Sequence, residues 1–463
     1  MKTTVNTTHR RVSKGESDLT EPREKYAREL SELIRCETVN AGGVYAAEAF
    51  EAIEGALARL FPRVFAEMTR IGTPHNLLLR WKGEDESKPA LVLMAHLDVV
   101  PAPGDWTHPP FSGLVADGMI YGRGAMDTKC TLYAMYRAAE ELLEKGFKPP
   151  ADIYFTSSHN EETFGDGAVY ARDYFAQHKI PVAMVLDEGG AVVQNVMPGF
   201  SGYAAMIGVT EKGYANIRFT AGGKGGHASA PPRLSPLVRL SAFVNRVEKR
   251  SPFKARLPGV VKEMLKALSP GLPRFYRFIF SRPGLFGPVI RRVMASVSPQ
   301  AAAMLKTTCA FTMAEGSPAA NVLPLTASVT ANLRFIGHQP MRESIGALKR
   351  IASKYDLTAE VLAACDISPE TSVDSPGYRL VRRTAESVFP GIPVSPYIMI
   401  GGTDSRHFAS LCDQVIRFSP LMLTPEQLSA MHAADERIGA DALLSCVRFY
   451  AALIEGSGAA FTQ

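Results

Sequence analysis

The run PALVLMAHLDVV, residues 89–100, is apolar position after position rather than at every second one. Such continuity reads as a central strand covered on both faces. ADIYFTSSH and VAMVLDEGG follow the same pattern, with a helical stretch between them. The amphipathic helix TLYAMYRAAEELLEKG precedes them, stopping at Gly146 with Pro149 and Pro150 just beyond. Strand–helix alternation of this kind predicts an α/β fold built on an open, largely parallel sheet with helices on both faces. Ligands in such sheets bind outside the carboxyl ends of the strands. Those ends carry the unusual residues: His96 and Asp98, Glu161 and Glu162, Asp187 and Glu188. Asp127 in GRGAMDTK and His432 in SAMHAADE complete the set. Buried carboxylates and imidazoles are costly unless paired or bound to a metal. Their convergence points to a pair of divalent ions and to a hydrolase.

The style of the chain changes near residue 208. GYANIRFTAGG reads as a strand, PLVRLSAFVNRVEK as a helix, TTCAFTMAEG and LTASVTANLRF as an antiparallel pair, MRESIGALKRIASKY as a helix and LTAEVLAACD as a closing strand. This β-α-β-β-α-β order is the ferredoxin-like unit. A helical insertion from Ser251 to Lys306, rich in Pro, Phe, Arg and Leu, interrupts it. After Asp366 helix and strand return. At 463 residues the chain exceeds one ordinary core, so two domains are expected. The expected division is a disordered tail at 1–20, a discontinuous catalytic domain at 21–207 and 367–463, and an inserted domain at 208–366.

Composition removes several function classes. A formal charge of +5 is small for this length, and nothing in it argues for nucleic acid. No apolar run is long enough for a membrane span, and the polar N-terminus lacks the apolar stretch of a signal peptide. The six cysteines are scattered without a C-x-x-C pair, which favours free thiols in a reducing compartment and a cytoplasmic location.

Each chemical motif has an ordinary reading beside the catalytic one. His96 and Asp98, two apart on a strand, leave the same face, so one can bind metal while the other orients it; a capping His and a turn Asp would look the same. Asp127 at a helix entry could be a plain N-cap, yet Gly122 and Gly124 permit the close backbone approach that a bridging carboxylate needs. The adjacent Glu161 and Glu162 suit a surface poorly after so apolar a run. Their side chains diverge, which fits one ligand and one general base. His227 reads most simply as a turn histidine, and Arg334 as an exposed strand-end charge.

AHLDVVPAPGDWTHPPFSG, DGMIYGRGAMDTK, SSHNEE, VLDEGG, GGKGGHASAPP, GSPAANVLP, GGTDSRHF and RFSP followed by MHAADERI together resemble the co-catalytic zinc peptidases. That family includes glutamate carboxypeptidase, succinyl-diaminopimelate desuccinylase and aminoacylase. The motifs run in the family's order from about residue 90 to 450, and the WTHPPFSG and GGTDSR stretches look most like the carboxypeptidase S and N-fatty-acyl-amino-acid hydrolase branch. The resemblance implies a zinc-peptidase catalytic domain with an inserted lid and dimerisation domain, and two divalent ions, Zn²⁺ with cobalt or manganese as substitutes. It implies His96, Asp127 and Asp187 (Glu188 as the alternative) around one ion, and Asp127, Glu162 and His432 around the other. Glu161 would be the general base, Asp98 would orient His96, and His227 would support the oxyanion. Asn321 and Arg334 would hold the substrate's carboxylate, with Gly401, Gly402 and Thr403 beside the substrate. Where the family's nearest branch has a carboxylate before the Glu pair, this chain has Asn160.

The expected reaction is cleavage of an amide next to an amino acid with a free carboxylate, in a small peptide or an N-acyl amino acid. Ester cleavage or deacetylation of a biosynthetic intermediate is the second enzymatic reading. A non-catalytic, metal-stabilised binding protein on the same fold is the third. A homodimer is expected through an edge strand of the inserted domain. The insertion at Ser251–Lys306 either lines an acyl pocket or extends the lid.

Overall fold

The computed structural model describes residues 14–461. Its first helix, Lys14–Ile34, begins inside the stretch expected to be a tail; residues 1–13 of that stretch lie outside the described residues. The chain forms two compact units. The first holds the residues up to Gln194 together with Leu380–Gly391 and everything from Ser419; the second holds Asn195–Arg379 and Ile392–Phe418.

In the first unit the strand Ala90–Met94 lies parallel between Ile153–Ser157 and Val182–Asp187. Leu77–Trp81 adds to the far side of Ile153–Ser157, antiparallel, and Thr69–Arg70 closes that edge. Every residue of Ala90–Met94 is buried, as its unbroken apolar run requires. The helix Lys129–Glu144 is buried around nearly its whole circumference and packs against Lys14–Ile34 and Ala440–Ala460. Its buried charged residues are each paired there: Lys129 donates to the Leu33 carbonyl, Arg137 pairs with Glu29 at 2.5 Å and Glu140 accepts the Val64 amide. Because the three parallel strands run the same way, the residues that follow Met94, Ser157 and Asp187 emerge at one end of the sheet.

The second unit contains a four-stranded antiparallel sheet in the order Thr308–Glu315, Thr326–Phe335, Gly213–Gly222, Thr358–Cys365. With helices Pro236–Lys249 and Met341–Ala352 it makes the expected ferredoxin-like unit. Burial along Gly213–Gly222 alternates with period two. Ala215, Ile217 and Phe219 pack there with Phe243, Leu333 and Leu348 into one core.

Two strands of this unit escaped the sequence reading. Tyr203–Glu211 pairs in parallel with Val394–Met399, with Ile207 opposite Pro396. The first is diluted by Ala204, Ala205 and Gly208, and the second carries a proline, which normally argues against a strand. The boundary expected at 207/208 falls within Tyr203–Glu211. At its end Glu211 is buried and paired with Arg417 at 2.5 Å, while it also accepts the Thr403 amide at 2.7 Å. The segment between Ser251 and Lys306 has Gly259–Leu268, Arg274–Phe280 and Pro283–Val297 as its main helices.

Lys212 ties the insertion to the sheet. Its buried ammonium donates to the carbonyls of Ala303 and Lys306 at 2.9 and 3.0 Å. Burial first, then the charges of Arg334 and Lys306, pull its pKa from 10.5 down to about 7. Between those values the unfolded chain holds a proton that the folded protein has released, so stability rises with pH across the window. Urea titrations at neutral and alkaline pH should show that rise, and Lys212→Met should flatten it. Equal pH slopes in the two proteins would remove Lys212 as its source.

Candidate metal centre

The first unit gathers eight of the residues singled out from the sequence near the carboxyl end of its sheet. His96 Nε2 lies 3.1 Å from Asp127 Oδ1 and 3.2 Å from Glu188 Oε1. His432 Nε2 lies 2.8 Å from Asp127 Oδ2 and 3.4 Å from Glu162 Oε2. Two groups result, His96–Asp127–Glu188 and Asp127–Glu162–His432, each with its ligand-type atoms within 4.8 Å of one another. Asp127 belongs to both and presents one oxygen to each.

Charge makes this arrangement expensive without a cation. Burial opposes protonation of His96, but Glu188, Asp127 and Asp98 outweigh it and hold the imidazole well above its ordinary pKa. Hydrogen bonds to Asp127 and Glu162 push His432 up to about 10. Burial and the neighbouring Asp127 charge push Glu188 up to about 8. Glu162 is raised for the same two reasons, and its Oε1 is buried with no hydrogen-bond partner among the described residues. Protons on the two imidazoles offset the three carboxylates; divalent ions would do so better. A mixed set of imidazole and carboxylate donors suits a borderline cation such as Zn²⁺. The donor set fits two such ions.

The His96 ring is oriented for ligation. A carbonyl can only accept, so His96 Nδ1 donates to the Asp98 carbonyl at 2.9 Å and leaves Nε2 facing Asp127 and Glu188. The Asp98 carboxylate lies 3.4 Å from the same Nδ1 and also accepts the amides of Glu161 and Glu162, each at 3.1 Å. One fully buried aspartate therefore orients a histidine through its backbone and fixes the Glu161–Glu162 turn through its side chain. Asn160 secures the other end of that turn by accepting the Gly167 amide at 2.8 Å.

Of the two acidic residues at this strand end, Glu188 and not Asp187 stands in the candidate ligand group with His96 and Asp127. Asp187 is the last residue of its strand and is buried, with Oδ1 accepting the Glu188 amide at 2.9 Å. Successive side chains on a strand point to opposite faces, so Glu188, one step further and one methylene longer, is the one that reaches His96.

Glu436 was missed. Its carboxylate, fully buried, accepts from Arg123 at 2.6 Å and from the amides of Gly124, Met126 and Asp127 at 3.2, 2.7 and 3.2 Å. The strand Arg437–Gly439 pairs with Met119–Tyr121 and so sets both Glu436 and the His432 loop beside the Asp127 turn. That turn is tight: a Cβ on Gly124, at φ +85°, would come within 2.8 Å of Val99. In the sequence Glu436 is one more polar residue in HAADER, with Arg437 directly after it, and nothing there marks it as buried.

The remaining predicted site residues lie in the second unit. His227 is exposed on a two-residue strand, where its Nδ1 accepts the Ser229 amide at 3.2 Å. Asn321 accepts the Ala228 amide through its backbone carbonyl. Arg334 is half-buried, with its guanidinium 5.8 Å from the centre of the Tyr214 ring. Thr403 is fully buried with its hydroxyl 2.6 Å from that of Ser405, which leaves Gly401 and Gly402 as the accessible members of their trio.

Removing one partner of a buried ion pair leaves the other charge stranded, at about 3–5 kcal/mol. Glu436→Ala should therefore lower unfolding stability by about that much in denaturant titration and loosen the Asp127 turn. A loss within error of zero would show that water replaces the carboxylate without cost.

Comparison with known proteins agrees with the geometry. The model of peptidase family M20/M25/M40 matches residues 92–456. The chain is 33% identical to the N-fatty-acyl-amino acid synthase/hydrolase PM20D1 of Xenopus tropicalis over 98% of this chain and 91% of that protein. It is 35% identical to a probable carboxypeptidase S-like 2 of Dictyostelium discoideum, over 86% and 77%. Among solved structures, an M20 family metallo-carboxypeptidase from Sulfolobus solfataricus superposes with a TM-score of 0.67 at 19% identity, over 93% and 98% of the two chains. The dipeptidase Dug1p of Saccharomyces cerevisiae gives 0.66 at 13% identity, over 96% and 98%. The chain belongs to peptidase family M20/M25/M40, a family of metallopeptidases that use divalent metal.

Proposed function

We propose that this protein is a two-zinc amidohydrolase that cleaves the amide of an N-acyl amino acid, or the last peptide bond of a small peptide, beside a free carboxylate. The observation that carries the reading is the division of Asp127 between two ligand groups. The relatives named for N-fatty-acyl-amino acid hydrolysis and for carboxypeptidase activity support the substrate class.

His96, Asp127 and Glu188 would hold one ion, and Asp127, Glu162 and His432 the other. Bound ions supply Lewis acidity toward the scissile carbonyl and toward water. Glu161, next to the ligand Glu162 and mostly buried, takes the proton of the attacking water and delivers it to the leaving amine. Asp98 positions both glutamates through their amides and His96 through its ring. His227 is assigned to the oxyanion. Arg334 and Asn321 are assigned to the substrate carboxylate, for which the guanidinium fork is well shaped, and Gly401, Gly402 and Thr403 to the substrate's flank.

We further assign a homodimer formed through Thr308–Glu315 or Thr358–Cys365, the two edge strands of the four-stranded sheet. The six free cysteines support a reducing, cytoplasmic location. Among the described residues no helix is long and apolar enough to cross a membrane.

Glu161→Gln keeps the shape of the site and removes the base. Its turnover of N-fatty-acyl amino acids and dipeptides should fall about 10²–10⁴-fold, with metal content unchanged by elemental analysis. Near-normal turnover on every substrate that the unmutated protein hydrolyses would take Glu161 out of the mechanism.

A further inference from the structure

The insertion concentrates charge and exposed apolar surface in one place. Between Ser251 and Lys306 ten residues are Lys or Arg and one, Glu263, is acidic, a net +9. The whole chain carries +5, so the rest of the protein is net negative. Glu263 pairs with Lys266 at 2.9 Å, which leaves the arginines around Arg274–Val297 without an acidic neighbour in the insertion.

The same helices show their apolar side to solvent. Pro283–Val297 buries Pro283, Ile290 and Met294. Its outward side carries Leu285, Val289, Val293 and Val297, spaced four apart and 72%, 54%, 42% and 47% exposed. Residues i and i+4 share a helix face, so these four form one aliphatic stripe. The helix Arg274–Phe280 before it exposes Phe275 and Phe278 to 69% and 52%. Phe278 meets Phe286 at 5.6 Å and lies under the Arg282 guanidinium at 4.5 Å, joining the aromatic cluster to the helix that bears the stripe. A patch of this length and character is seldom left in water without a partner.

We infer that this face of the insertion docks on an anionic lipid bilayer. Aliphatic and aromatic side chains enter the acyl boundary, while arginines remain at the level of the phosphates. Each basic residue near an anionic surface adds attraction, and the charge of the insertion complements that surface. A second copy is a poor occupant, because a two-fold interface sets the same patch, and so the same net +9, against itself. Nucleic acid would meet the charge and leave the aliphatic stripe unused. This inference does not depend on which amide the enzyme cleaves.

The test is co-sedimentation of the full chain with phosphatidylcholine vesicles with and without phosphatidylglycerol. Binding should require phosphatidylglycerol and weaken with added salt. Arg274→Glu with Arg277→Glu, and separately Leu285→Glu with Val289→Glu, should each weaken it by about tenfold or more, with an unchanged melting temperature showing that the exposed substitutions leave the fold intact. The inference is overturned if the unmutated protein ignores phosphatidylglycerol vesicles, or if both double variants bind as it does. It is also overturned if the protein is a dimer in sedimentation equilibrium that Leu285→Glu with Val289→Glu dissociates, since the face would then belong to a second copy.

Discussion

One carboxylate organises the candidate metal centre. Asp127 faces His96 with one oxygen and His432 with the other, and those histidines are separated by more than three hundred residues of chain. Nothing local could hold such a group in place. Its backbone amide, with those of Gly124 and Met126, is tied to Glu436, and Glu436 is tied in turn to Arg123. The buried pair is costly to assemble and therefore specific: few other arrangements satisfy so many donors with one carboxylate. The Asp98 carboxylate does the parallel task for Glu161 and Glu162. Two carboxylates outside both ligand groups thus position four of the residues assigned to the chemistry.

Much of this was legible in the residues because solvation forces the pattern. Carboxylates and imidazoles at the ends of unbroken apolar runs declare themselves, since a buried strand tolerates them only with a partner. The parallel sheet, the ferredoxin-like unit and the helical insertion likewise follow from periodicity and turn residues. Three things were hidden. Glu436 looks like a surface glutamate until the pairing of Arg437–Gly439 with Met119–Tyr121 buries it. Glu188 and Asp187 differ by one step of strand alternation, which residue types alone do not resolve. Tyr203–Glu211 and Val394–Met399 stabilise one another across nearly two hundred residues, and each is weak as a strand by itself.

The insertion shows the opposite kind of hidden signal. Averaged over the chain, the charge of +5 says little about partners. Divided by segment, it becomes a strongly basic insertion on an otherwise acidic protein, and the structure places an aliphatic stripe among those arginines. For an enzyme proposed to act on N-acyl amino acids, a bilayer is also where long-chain versions of that substrate partition by burying their methylenes.

The proposed chemistry requires that Asp127 be shared by two ions. Metal content of Asp127→Ala, measured by elemental analysis after exhaustive dialysis and compared with Glu188→Ala and the unmutated protein, tests it most directly. Sharing should give two ions per chain in the unmutated protein, one in Glu188→Ala and none held tightly in Asp127→Ala. Two ions retained by Asp127→Ala would contradict it.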